Sequence, residues 1–417
     1  MNYQKKLSLF LLLISFLNTF AQQDSSQVKE REQSVSVFLD CNFCDEQFIK
    51  QNLTFINYVR DTKEAQVHIL GTSQNTGSGG NEYTFFFIGQ ENFSGMKDTL
   101  IVSTRNDATS EEIRMEHLKI IKLGLVRYIA KTPIADKLKI EYGSSEIEEE
   151  VVEDKWNSWV FNLGLDGWFN GQESYTILYT GVSLYINKVT PDIKIEFDFN
   201  YDYNEDKFVI GEDEIISTNK DISFDHLLVK SINDHWSAGY EMTLGNSTYS
   251  NFDFSGAVYP GIEYNLFPYS QSSRRQLRFL YGAGSRYNDY TDTTIYNQTE
   301  ELLWQHRLTI AFEMKEKWGS VSTSVRGSQY LHDLSKNNLR ISSSIRLRIV
   351  KGLQLRLYGS FSLIHDQLSL PKGGASEEEI LLRRKELATQ YSYWGSVGLS
   401  YTFGSIYNNV VNPRFGN

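Results

Sequence analysis

A chain of 417 residues has room for two domains, or for one large barrel with a smaller unit beside it. Its net charge of −11 argues against a nucleic-acid partner, because phosphate recognition calls for clustered Lys and Arg. With 25 Tyr, 25 Phe and 7 Trp against only 6 Pro, the composition is that of a β-rich chain with many aromatics at an interface.

Residues 1–21 read as a signal peptide. Lys5 and Lys6 precede an apolar run, Leu7 to Phe20, and Thr19-Phe20-Ala21 offers a small-residue cleavage site. The run is too short to span a bilayer as a helix, and no other apolar run approaches roughly twenty residues. Gln22, in place of Cys, gives no lipid-anchor signal. The expectation is an exported chain without a transmembrane helix.

Residues 22–142 then read as a small α/β domain, with a polar, unstructured start to Gln33. Strands are predicted at 35–39, 55–59, 66–72, 83–88 and 99–103, with a short helix at 45–53. Gly77-Ser78-Gly79-Gly80 suits a hairpin loop. A long helix opens at Thr109, where Thr109 and Glu112 form a capping-box pattern. The fragment 24–142 is expected to fold alone in water. Cys41 and Cys44 are the only cysteines, and export favours a disulfide between them. Their position before a helix resembles the redox motif of thioredoxin-like proteins, but the element order that follows differs. Residues 143–155 hold six acids and read as a solvated linker, since their spacing matches no calcium loop.

From Trp156 onward twelve strands are predicted, near 157–169, 175–188, 192–203, 220–231, 235–247, 252–267, 276–288, 302–315, 319–330, 338–350, 353–365 and 391–403. Each is long enough to cross a bilayer when tilted, which takes about 9–11 residues. Alternate connections are tight, as at Lys317-Trp318 and Lys351-Gly352. Long polar loops are expected at 204–220, 289–301 and 367–390. Within the last, Ser376 to Leu387 carries a capping box, with acids in the first turn and bases in the last, and predicts a short helix.

The final stretch, Ser396-Val397-Gly398-Leu399-Ser400-Tyr401-Thr402-Phe403, resembles the insertion signal of bacterial outer-membrane β-barrel proteins. The resemblance covers residues 156–403. It implies a mainly β fold: an antiparallel transmembrane β-barrel of about twelve strands in a Gram-negative outer membrane, inserted by the barrel-assembly machinery. The even strand count leaves the amino-terminal α/β domain and the tail 404–417 in the periplasm.

Alternation assigns the faces. Strand 193–203, IKIEFDFNYDY, sets apolar and aromatic residues against Lys194, Glu196, Asp198, Asn200 and Asp202. With the apolar face on lipid, the lumenal set is Glu196, Asp198, Asp202, Glu241, Asp253 and Glu263 on earlier strands. On later strands it is Arg278, Arg286, Arg307, Arg326, Arg340, Arg346, Arg348 and Arg356. Acids line one arc and arginines the other, so either a transverse field or cross-lumen ion pairs are expected. Trp159, Trp236, Trp304 and Trp394 are expected among the interfacial aromatics.

The functional expectation is a porin-like narrow pore or an envelope scaffold, whose periplasmic domain binds a periplasmic or outer-membrane protein. No enzymatic activity, cofactor or metal is expected. Two alternatives remain open: an enzyme at the extracellular rim, where His332-Asp333 and His365-Asp366 lie, and a periplasmic thiol-disulfide role for Cys41 and Cys44.

Overall fold

The computed structural model describes residues 34–139, 154–211, 213–373, 387–405 and 414. The signal segment, most of the acidic linker, the helix expected at 376–387 (Leu387 apart) and most of the tail lie outside the described residues.

The first unit is a five-stranded mixed sheet in the order β2-β1-β3-β4-β5. Its strands are β1 (Ser36–Asp40), β2 (Asn57–Tyr58), β3 (Val67–Asn75), β4 (Asn81–Gly89) and β5 (Lys97–Thr104). β1 runs parallel to β2 and β3, and β3-β4-β5 is an antiparallel meander. Helix α1 (Glu46–Asn52) makes the β1–β2 crossover, and Asp45 caps it by accepting from the Phe48 N–H at 2.9 Å. Helix α2 (Ser110–Ile129) starts with the full capping box of Thr109 and Glu112. Its face of Leu118, Ile121, Leu125 and Tyr128 joins Val35, Val37, Ile69, Phe85 and Phe87 in one core. Burying each such side chain contributes about 1.5–3 kcal/mol. Cys41 and Cys44 are joined as a disulfide in the turn between β1 and α1.

The second unit is one antiparallel sheet of twelve strands, each paired to its neighbours in chain order. They are β6 (Trp159–Gln172), β7 (Tyr175–Val189), β8 (Ile193–Ile210), β9 (Asp213–Ser231), β10 (Trp236–Ser247) and β11 (Phe252–Asn265). β12 (Arg275–Tyr290), β13 (Glu300–Glu316), β14 (Gly319–Tyr330), β15 (Asn337–Val350), β16 (Leu353–Ile364) and β17 (Tyr391–Tyr401) follow. The outermost strands, β6 and β17, each pair on one side only. Between them the sheet curls strongly. Arg307 on β13 reaches Glu241 on β10 at 2.6 Å, although three strand spacings separate their backbones, about 14 Å on a flat sheet. The face that carries both side chains is therefore concave.

One expectation needs correction. Residues 204–220 are not a long loop, because β8 and β9 stay paired up to Ile210↔Asp213. The alternation simply continues through Phe208 and Ile216, and cross-strand pairs such as Lys207–Glu214 at 2.8 Å hold the hairpin together. Asp253 falls at a register shift between Phe252 and Phe254, with no residue opposite it on β12.

Candidate functional site

Register propagates the charged face strand by strand. Glu196 lies opposite Leu227, Leu227 opposite Glu241 and Glu241 opposite Tyr259. Tyr259 shares its face with Glu263 and with Ala257, which lies opposite Arg286. Arg286 opposes Leu303, on the same face as Arg307 and Thr309; Thr309 opposes Arg326, and Arg326 opposes Arg340. Arg346 lies opposite Arg356 on that face. Glu196, Asp198, Asp202, Glu241 and Glu263 are thus brought to the concave face together with Arg278, Arg286, Arg307, Arg326, Arg340, Arg346, Arg348 and Arg356. Asp253 stands at the irregularity of β11, where no residue of β12 lies opposite it.

Further acids belong to the set: Asp225 lies directly opposite Asp198 and Asp221 opposite Asp202, Asp166 lies opposite Gly181, which itself faces Asp202, Asp206 continues the phase of Asp202, and Glu301 and Glu313 share the phase of Arg307. Continuing the alternation through β6, β8, β9 and β13 would have found them. Trp394 breaks the expectation for an interfacial aromatic. It pairs with Ser360, on the phase of the arginines, because the register of β17 puts its even-numbered residues there.

Arc meets arc at β10–β13. Arg307 binds Glu241 and lies over the Tyr259 ring at 4.3 Å, while Arg278 approaches Glu263 at 3.5 Å. Such pairing is what a partly dry charged wall needs, since an isolated ion loses several kcal/mol of hydration. Arg326, Arg340, Arg346 and Arg356 have no carboxylate within ion-pair distance among the described residues. Three of these guanidinium groups contact hydroxyls instead: Arg346 Nε donates to Tyr358 at 2.7 Å, Arg340 Nε to Ser362 at 3.3 Å and Arg326 Nε to Thr309 at 3.3 Å.

The small unit covers one end of the concave face. Asp40, at the end of β1, takes two hydrogen bonds from Arg348 at 2.7 and 2.8 Å, and Phe38 lies under the guanidinium. Arg348 is therefore engaged by the small unit, and does not project into an open water path. The Asp61 carboxylate accepts from the Gly352 N–H at 2.6 Å, Glu64 pairs with Lys351, and Arg60 donates to the Ser405 carbonyl. On the other side Asn187 donates to the Gly77 carbonyl at 3.0 Å, and Arg274 lies over Phe86. These contacts run from β7 to beyond β17, so the small unit lies across the mouth. Burial pushes the Asp40 carboxyl up, but hydrogen bonds from His68 and Arg348 outweigh it and hold Asp40 at about 2. Burial drives the His68 pKa down against the pull of Asp40, so His68 is neutral near pH 7 and serves as a hydrogen-bond donor at 3.0 Å.

The other end is covered by the loop after β16. Leu368 packs on Leu303 and Tyr330 of the concave face. Ile295 N–H donates to the Leu370 carbonyl at 2.8 Å, Lys372 N–H to Thr293 at 2.8 Å, and Asn251 to Ser369 at 2.8 Å.

The remaining candidates are local. Asp333 accepts from the N–H and hydroxyl of Ser335, and Asp366 from Asn338 at 3.0 Å. His365 contacts Asn337, and His332 packs near Tyr330. Neither imidazole is paired with a hydroxyl or thiol nucleophile among the described residues. No cluster there is placed to hold a metal. No protein-family model and no curated protein matches the chain.

Proposed function

We propose that the chain is an outer-membrane β-barrel, closed by pairing of β6 with β17, that forms a narrow charged passage stopped at both ends. The single observation that carries this reading is the concave charged face bridged by Glu241–Arg307. Its other face is apolar and exposed, with Leu163, Leu165, Phe169, Leu302 and Trp304 on the outside. Charges inside and hydrocarbon outside is the pattern of a wet lumen in lipid. β6 and β17 are antiparallel in sense, and an edge left open in hydrocarbon would strand its N–H and C=O groups. The small unit is the periplasmic stopper and the surface offered to an envelope partner. The loop around Leu368 stops the extracellular end.

Planar-bilayer recording of the full-length protein is the test. The wild type should conduct rarely and weakly. Replacing Glu241 and Arg307 together with Gln removes the bridge across the passage and should raise conductance or shift ion selectivity. A protein that leaves membranes with carbonate, or that stays silent with both residues replaced, would overturn the pore reading. Silence in a protein that carbonate does not extract leaves the scaffold reading in its place.

A further inference from the structure

We propose that the cavity between the small unit and strands β13–β16 is a binding site for a small oxyanion, a solute carrying a phosphate or paired carboxylates. The site itself stands on local geometry; its role in the passage rests on the reading above.

The cavity has a volume of about 310 Å³, enough for a small solute. Asn42, Thr72 and Ser73 of the small unit line one side, and Arg346, Arg356 and Lys315 the other. Arg346 and Arg356 are direct cross-strand partners, so two like charges face each other across one rung. Other charges around the cavity are already matched. Arg348 is held by Asp40, Glu316 by Arg274 at 2.8 Å, and Lys315 by Glu313 at 3.0 Å. Arg346 and Arg356 alone keep unmatched guanidinium forks, with Arg346 oriented by Tyr358. Two guanidinium groups suit a doubly charged oxyanion, since each fork can give two parallel N–H donors.

The test is phosphate titration of the full-length protein in detergent, followed by calorimetry and by thermal melting, with succinate as the carboxylate probe. The wild type should bind at least one of the two and melt higher in its presence. Arg346→Gln with Arg356→Gln should weaken binding at least about tenfold and abolish the shift, because two charge-assisted contacts are lost. In anion-free buffer that variant should melt no lower than the wild type, since the repulsion is gone. Lys207→Gln, on β8, should titrate like the wild type. If the double variant fails to fold, Arg356→Lys, which keeps the charge and loses the fork, should still weaken binding. Absence of binding by the wild type, or equal binding by the arginine variants, refutes the site. Either result leaves the conductance test of the pore reading untouched, and a failed conductance test leaves this titration standing.

Discussion

Replacing Asp40 with Asn should loosen the small unit from the rim. The carboxylate is 24% exposed and Arg348 is 19% exposed, so solvent screens the pair only in part. Asp40 is held at about 2 against an ordinary 3.8, and about 1.4 kcal/mol per unit makes this roughly 2 kcal/mol, an upper bound for the clamp because His68, inside the small unit, supplies part of the depression. Breaking a fully buried pair costs about 3–5 kcal/mol, so the lower figure fits a partly exposed one. Two kcal/mol is about a thirtyfold change in an opening equilibrium. The sign follows from a depressed carboxyl: the contribution is whole above about pH 4 and fades as pH falls toward 2. Hydrogen exchange measured by mass spectrometry on peptides covering residues 36–42 and 346–352 reads the opening directly. Both should lose protection by up to about thirtyfold in Asp40→Asn and in Arg348→Gln, with no further loss when the two are combined. Unchanged exchange in either single variant at pH 7, or fully additive losses, would refute the clamp.

Two more outcomes concern the small unit. His117 is buried among Phe43, Tyr83 and Phe85, and burial pulls it to about 4 despite Glu116 nearby. The unfolded imidazole takes its proton near 6.5, so stability is lost as pH falls from 6.5 to 4, up to about 3 kcal/mol. His117→Phe should flatten that slope in melts followed by near-ultraviolet circular dichroism, leaving the smaller slope of His68; an unaltered slope refutes the assignment. Gly124 on α2 faces the Phe87 ring so closely that an added methyl would stand inside it. Gly124→Ala should therefore destabilise the unit by about 1–3 kcal/mol, and a melt equal to the wild type would show that Phe87 moves away freely.

Period-two alternation made all twelve long strands legible, because a strand such as β15 cannot place Leu339, Ile341 and Ile345 on one side without setting Arg340 and Arg346 on the other. The helices of the small unit were legible from their caps, as at Thr109 and Glu112. The β8–β9 hairpin was not, since the polar stretch from Asn204 to Lys207 looks like a loop until its cross-strand partners are known. The register shift at Asp253 was not legible either, because a bulge leaves no mark in the alternation. Arg348 read as one more lumenal arginine. Its partner Asp40 lies on a different unit, and no local pattern announces a contact of that kind. Leu368 likewise read as loop, although it fills the hollow formed by Leu303 and Tyr330.

The bond between Asp40 and Arg348 joins residues 308 positions apart, and its strand, β15, is followed only by β16 and β17. The small unit assembles from contacts close in sequence, whereas this bond must wait for nearly the whole large sheet. Closing so long a segment is slow chiefly because the ends must find each other, and the entropy penalty grows only with the logarithm of length. During biogenesis Asp40, Asp61 and Glu64 therefore spend time as a free acidic edge on an already folded unit. Formation of the Asp40–Arg348 bond then serves as a timestamp of late assembly: a protein that shows it has already brought β15 to the small unit.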